Sequence, residues 1–342
     1  MTEASFPDPT LVHVDDDVLR RAYGLMVLTR ELDTHAVAWQ RQGLLPAYPP
    51  LKGQEAAQVG SVLGADLASD FLFPTYRELG VAVAAGVDLV GYFGNHLGLW
   101  NGGLHDPVAS RLAPIQAVVG GSVLHAVGWA LGRALDGENG VAVAYLGDGA
   151  SSQGDVHEAM NFAAVLGAPV VFFVQNNRWA LSVPLHRQVA GESVAARAAG
   201  YGIPGLAVDG DDVAAVYQAM TTAVEHARAT RQPVVLEAMT YRRGPHATSD
   251  DPGRYRSLDD ERSAGADPID RLADRLLTSG AVDAGWFAQV RTDAVDRIDA
   301  LHQILVAESP RPGAELFENV FVHPTPQLAA QQRRWREESD RA

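Results

Sequence analysis

Cysteine is absent from the 342 residues. That excludes disulfides, thiolate metal centres and cysteine nucleophiles. Lysine is nearly absent: Lys52 is the only one among 27 basic residues. It does not follow a glycine-rich loop, so a Walker-type nucleotide site with its phosphate-binding lysine is excluded. Positive charge as a whole is scarce. Forty-two acidic residues against 27 basic ones leave a formal net charge of −15. Such a surface repels phosphate backbones, and no nucleic acid partner is expected, although a local basic site for a small anion is compatible with it. Long hydrophobic runs are missing too. The most apolar window, 118–131, is too short to cross a bilayer and is interrupted by Gly120, Gly121, Ser122 and His125. Residues 1–10 are polar and acidic with two prolines, without the basic-then-apolar order of a secretory signal. The expectation is a soluble, cytoplasmic protein with no membrane partner.

What is present is a large apolar fraction, 47%, enough for a substantial core in one large or two smaller α/β domains. No internal repeat or low-complexity block stands out. Helical periodicity predicts a long helix over 15–42, with Leu19, Tyr23, Met26 and Leu28 on its stripe and Gly43 as a stop. Further helices are predicted over 55–67 and 118–135. Residues 141–146 are a continuous apolar run, the pattern of a strand buried on both faces of a parallel sheet. A helix over 155–166 and a second apolar strand over 170–174 complete a strand–helix–strand unit. A weaker copy spans 206–208, 213–230 and 234–239. The expected fold is therefore α/β, a doubly wound, mostly parallel sheet with C-terminal helices. Residues 241–257, rich in Arg, Gly, Pro, Ser and Asp, read as a long exposed loop. Ile269, Leu272 and Leu276 mark one later helix, and Ala294, Ile298, Leu301 and Leu305 another. The division expected is a flexible arm over 1–17, the main α/β domain over 18–265, a helical extension over 266–325 and a polar tail over 326–342.

Two residues carry the chemistry. Asp148 stands where the first strand of the unit ends, between Gly147 and Gly149, and Asn177 where the next one ends. Ligands of open parallel sheets bind at the carboxyl ends of strands. A carboxylate and an amide oxygen meeting there suit Mg²⁺, which takes one or two protein ligands and completes its shell with phosphate oxygens. The glycines allow a tight turn, and the helix starting near Asp155 offers free N–H groups to a diphosphate. Either motif alone is ordinary turn chemistry. Their joint placement points to a Mg²⁺-diphosphate site.

The stretch from Gly147-Asp148-Gly149-Ala150 through Gln175-Asn176-Asn177 resembles the thiamine diphosphate fingerprint. Its flanks, including Gly53-Gln54-Glu55, Pro74-Thr75-Tyr76-Arg77-Glu78, Val208-Asp209-Gly210 and Thr240-Tyr241-Arg242-Arg243-Gly244-Pro245-His246, resemble the E1 α subunits of pyruvate and branched-chain 2-oxo acid dehydrogenases. The resemblance runs over roughly 18–320. It implies the thiamine-diphosphate-binding fold, with thiamine diphosphate and Mg²⁺ as cofactors. It implies metal ligation by Asp148, Asn177 and the main-chain carbonyl of Trp179, where the family usually has Tyr. Tyr76, Arg77, Gly149 and Ala150 would meet the diphosphate, Val119 the aminopyrimidine ring, and His246 the reacting end as a catalytic residue. The implied reaction is oxidative decarboxylation of a small 2-oxo acid, with the acyl group passed to a lipoyl-bearing E2 acyltransferase. The activating Glu of relatives lies on an E1 β subunit, so an α2β2 heterotetramer with a shared site is implied.

Departures from the family pattern bear on substrate and regulation. Ala247 replaces the serine that mitochondrial relatives have phosphorylated, and Ala47-Tyr48-Pro49-Pro50 lacks a His common in animal pyruvate-type enzymes. A branched-chain substrate is favoured, with pyruvate or acetoin as alternatives. A non-catalytic assembly subunit would have lost Asp148, Asn177, Arg77 or His246, and all four are present. His105 reads as a structural or rim residue, and His125 and His157 as helix-packing residues.

Overall fold

The computed structural model describes residues 6–99, 105–308, 313–318 and 320–340. The first five residues of the N-terminal arm, Gly102-Gly103-Leu104 and the last two residues of the tail lie outside these. Among the described residues seven strands form, β1 (Phe71–Phe73), β2 (Ala142–Gly147), β3 (Val170–Asn176), β4 (Trp179–Ala180), β5 (Val183–Pro184), β6 (Gly205–Asp209) and β7 (Val234–Met239). Five of them make one parallel sheet in the order β1-β2-β3-β7-β6, and β4 pairs with β5 as a small antiparallel hairpin.

Alternating residues of the buried strands feed two cores. Val143, Tyr145, Val171, Phe173 and Leu236 face helices Asp16–Arg41, Glu55–Leu63 and Val213–Thr230. Ala144, Leu146, Phe172, Val174 and Val235 face helices Gly121–Leu135 and Gly154–Leu166. Helices on both faces make the sheet doubly wound, as the apolar runs predict. The connections from β1 to β2 and from β2 to β3 step across the sheet in one direction on one face. The connection from β6 to β7 steps back on the other face. The strand order thus reverses between β3 and β7, and that is where a crevice opens at the carboxyl ends.

Helices Pro268–Thr278 and Ala284–Ala307 bury Leu272, Leu276, Ile298 and Leu301 in the same core as the long first helix. Tyr23 packs on Trp286 and Phe287, with ring centroids 5.3 and 5.0 Å away. The arm from Phe6 lies along Val213–Thr230, where Gln218 Nε2 donates to the Val12 carbonyl at 2.7 Å. The helix Pro326–Ser339 buries only Leu328.

Three boundaries differ from the sequence reading by two residues or more. The second helix stops at Leu63, not residue 67; Gly64 follows, with no room for a Cβ against the Tyr217 carbonyl, 2.8 Å away. The helix expected from residue 118 begins at Gly121, because Gly120 takes a left-handed φ of 78°. Strand β3 runs on through Gln175 and Asn176, two residues past the apolar run.

Candidate active site at the carboxyl ends of the sheet

β2 ends at Gly147 and the chain turns at once. Asp148 follows, 1% exposed, and its Oδ2 has no hydrogen-bond partner among the described residues. Burial pushes its carboxyl up to about 6, while the Asn177 main-chain N–H and Arg242 act the other way. An unpartnered buried carboxylate oxygen is costly, and a cation removes that cost. Gly149 is required by packing: a Cβ there would lie 2.8 Å from the Ala180 Cβ. Gly147 is not, since nothing stands within 4 Å of its Cβ position, which lines open space. The helix Gly154–Leu166 has no side-chain cap at its N-cap Gln153, which lines the same space.

The end of β3 splits the Asn pair. Asn176 is fully buried and its amide donates to Glu237 on β7. Asn177, 7% exposed, lines the same space as Asp148; its amide donates to Gln54 Oε1 at 3.3 Å and its Oδ1 accepts the Trp179 N–H at 3.3 Å. Arg178 and Leu181 flank β4, the latter in the hairpin turn, with φ values of 69° and 55°. For non-glycines this is strained backbone, of order 1–3 kcal/mol each, of the kind that collects at binding sites.

The segment 241–257 differs from the expected exposed loop. Arg242 is fully buried, donating to the Gly244 and Leu181 carbonyls, and Arg256 is 8% exposed. The Arg256 guanidinium lies over the rings of Trp179 and Tyr241, 5.5 Å from each centroid, and that of Tyr255. Two short backbone bonds, from Arg243 N to the Lys52 carbonyl and Thr248 N to the Tyr48 carbonyl, lay the segment against residues 48–52. His246 is thereby brought to Arg77, whose Nη2 sits 3.2 Å from His246 Nδ1 while Nη1 donates to the Pro50 carbonyl at 2.6 Å. Burial, then Arg77 and Arg242, lower the His246 imidazole to about 4, so the ring is neutral at physiological pH; Asp250 acts the other way.

Of these groups, Asp148, Asn177, Trp179, Arg77 and His246 line one cavity of about 460 Å³, within the size range of small-molecule sites. All nine residues singled out from the sequence border it: Tyr76, Arg77, Val119, Asp148, Gly149, Ala150, Asn177, Trp179 and His246. Four glutamines and a glutamate escaped that reading, namely Gln54, Gln153, Gln175, Gln188 and Glu78. Position at a strand end could have flagged Gln175. It joins a buried chain in which Gln58 Nε2 donates to Gln175 Oε1 at 2.8 Å and Gln175 Nε2 to Glu78 Oε1 at 2.6 Å. Glu78 in turn accepts from Thr75, which holds the Tyr76-Arg77 turn. Of the other histidines, His105 is buried and its Nε2 bonds the Leu112 carbonyl, a structural role. His157 pairs with the Tyr201 hydroxyl. His125 is exposed on the outer side of its helix and is not a packing residue.

A cavity at the switch point of a doubly wound sheet, walled by the buried Asp148 carboxyl and the Arg77 guanidinium, defines a small-molecule enzyme site. The family described as "Dehydrogenase E1 component" matches residues 23–312, and the chain belongs to it. It is an oxidoreductase subunit, the α component of a 2-oxo acid dehydrogenase E1. Over 325 residues it is 46% identical to 3-methyl-2-oxobutanoate dehydrogenase subunit alpha of Mycobacterium tuberculosis (strain ATCC 25618 / H37Rv), covering 94% of this chain and 88% of that one. It is 39% identical over 298 residues to pyruvate dehydrogenase E1 component subunit alpha of Bacillus cereus, covering 86% and 77%. The same subunit of Staphylococcus epidermidis (strain ATCC 12228 / FDA PCI 1200) is 38% identical over 284 residues, covering 82% and 75%. No helix among the described residues is long and apolar enough to cross a membrane.

Proposed function

We propose that this chain binds thiamine diphosphate and Mg²⁺ in the 460 Å³ cavity and, with an E1 β subunit as α2β2, decarboxylates a branched-chain 2-oxo acid for transfer to a lipoyl-bearing E2. The carrying observation is the unpartnered, buried Asp148 Oδ2 beside Asn177 in that cavity. No cluster of three or more His, Cys, Asp or Glu residues able to hold a metal occurs among the described residues. One carboxylate, one amide and one carbonyl suit Mg²⁺, which draws its remaining ligands from phosphate and water. Asp148, Asn177 and the Trp179 carbonyl would hold it. The Gly149 and Ala150 backbone, the N-terminus of the Gly154–Leu166 helix, which has no side-chain cap, and the Tyr76-Arg77 pair would take the diphosphate oxygens, with Val119 beside the aminopyrimidine.

When bound, thiamine diphosphate supplies the electron sink that loss of CO₂ from a 2-oxo acid requires. The chain's own work is to hold and orient it, and to present His246 at the reacting end. Identity of 46% with the 3-methyl-2-oxobutanoate dehydrogenase subunit, against 38–39% with the pyruvate subunits, supports a branched-chain substrate. The test is turnover of the chain co-assembled with its β subunit, using 3-methyl-2-oxobutanoate and pyruvate in parallel. A higher kcat/KM for the branched substrate is expected, and equal or better use of pyruvate overturns the substrate assignment. Calorimetry of the same complex should show thiamine diphosphate binding abolished by EDTA and severely weakened by Asp148→Ala. Unchanged binding in that variant removes the metal assignment.

A further inference from the structure

Arg77 and His246 meet in a way that decides which ring nitrogen carries the proton. Arg77 Nη2 is 3.2 Å from His246 Nδ1. A guanidinium has five N–H donors and no acceptor. Nδ1 can therefore only accept in this pair, and the proton of the neutral ring lies on Nε2. Nε2 has no hydrogen-bond partner among the described residues, and His246 borders the cavity.

Both partners are held in place. Arg77 is 7% exposed, donates from Nη1 to the Pro50 carbonyl at 2.6 Å and stands 5.3 Å from the Tyr76 ring centroid. The edge of Tyr76 meets the His246 ring at 6.1 Å, and the His246 main-chain N–H donates to Asp250 Oδ2 at 2.8 Å. The other tautomer would turn an N–H of His246 against an N–H of Arg77 in a half-buried setting.

We infer that Arg77 is a positioning residue that holds His246 in the Nε2–H tautomer, making His246 a fixed hydrogen-bond donor toward an anionic oxygen in the cavity and not a proton acceptor. To take a proton from a ligand, Nε2 would need a free lone pair, and Arg77 denies it one. Protonation at Nδ1 breaks the Arg77 bond and places a third cation beside Arg77 and Arg242, with Asp250 alone opposing. The proposed thiamine diphosphate site is assumed only for the nature of the oxygen that accepts this bond.

The test has two arms. The full-length chain is labelled with ¹⁵N-histidine, and His246 is assigned by the loss of its signals in His246→Gln. In the wild type, between pH 5.5 and 8, Nε2 should give a protonated and Nδ1 an unprotonated resonance. In Arg77→Met the two should move toward an averaged pair, and Arg77→Lys, also donor-only, should restore the split. A wild-type Nδ1–H or averaged pattern overturns the inference. So does an unchanged split in Arg77→Met. Should Arg77→Met not fold, the wild-type pattern still decides. The second arm uses the assembled enzyme. A Gln amide can donate where Nε2 does but cannot act as a base at neutral pH. His246→Gln should stay within about tenfold of wild-type turnover, while His246→Ala falls on the order of tenfold to a thousandfold. A Gln variant as slow as Ala overturns the donor role. The tautomer is read without any ligand, so its failure leaves the thiamine diphosphate reading standing, and failure of cofactor binding in calorimetry leaves the tautomer standing.

Discussion

Asn176 Nδ2 donates to Glu237 Oε1 at 2.6 Å, with both residues fully buried. The other Glu237 oxygen accepts the Ala195 N–H at 2.7 Å. Successive residues of a strand point to opposite sides, so anchoring Asn176 to β7 turns Asn177 to the cavity. The doublet divides its labour between a brace and a cavity-facing amide.

Glu237→Ala should leave the Asn176 amide and the Ala195 N–H buried without partners. Such losses cost roughly 1–3 kcal/mol each, so a drop of about 3 kcal/mol in unfolding free energy is expected from urea denaturation. Glu237→Gln, which keeps one acceptor and sets an N–H against the other donor, should fall between. A wild-type midpoint for the Ala variant would show that the brace contributes nothing.

Gly149→Ala should displace the β4–β5 hairpin, because its Cβ would lie 2.8 Å from that of Ala180. Overpacking of this kind costs about 1–3 kcal/mol. Ala180→Gly removes the opposing atom, so the double variant should recover most of the loss. Additive losses in that cycle would place the strain elsewhere.

Stability should fall on acidification through His96. Burial among Tyr48, Tyr92 and Phe93 lowers its imidazole from 6.5 to about 4, and its Nε2 has no partner among the described residues. As pH falls the unfolded chain takes up this proton first. The contribution is complete above about pH 6.5 and is lost between 6.5 and 4, reaching ~3 kcal/mol at 1.36 kcal/mol per pH unit. His96→Phe should flatten that part of the curve of urea midpoint against pH. Parallel curves for the two proteins would exclude His96 as the titrating group.

His246→Ala in the assembled enzyme should lower turnover much more than it lowers cofactor affinity, because in the proposed site Asp148, Asn177 and Arg77 would provide the main grip on the diphosphate. A bond realised mainly in the transition state behaves this way. Rate measured against thiamine diphosphate concentration checks it. Full recovery at saturation would make His246 a cofactor clamp.

The sheet is legible because its strands are unbroken apolar runs at βαβ spacing, and the cavity-lining pair because Asp148 and Asn177 follow two such strands. What stayed hidden depends on contacts far apart in sequence. Arg242 reads as a solvated loop residue until the Leu181 carbonyl, 61 positions away, accepts its Nη2 at 2.9 Å. The Gln58–Gln175–Glu78 chain spans 117 positions and leaves no periodic trace. His125 falls on the apolar window yet is exposed, because the helix buries Ser122, Val123, Ala126, Val127 and Ala130 on its other side.

Arg77 lines the cavity, Arg242 and Arg256 are buried outside its lining, and none of the three forms an ion pair with a carboxylate among the described residues. The chain around them carries a net charge of −15. An incoming dianion therefore climbs a repulsive outer potential before it falls into an attractive well. Salt acts on these two in opposite senses. The outer field is screened over a Debye length of about 10 Å at 0.1 M, so moderate ionic strength should hasten capture of a diphosphate. The buried well is screened much less, so dissociation should hardly respond. That is the reverse of the salt dependence of a protein whose whole face attracts its ligand.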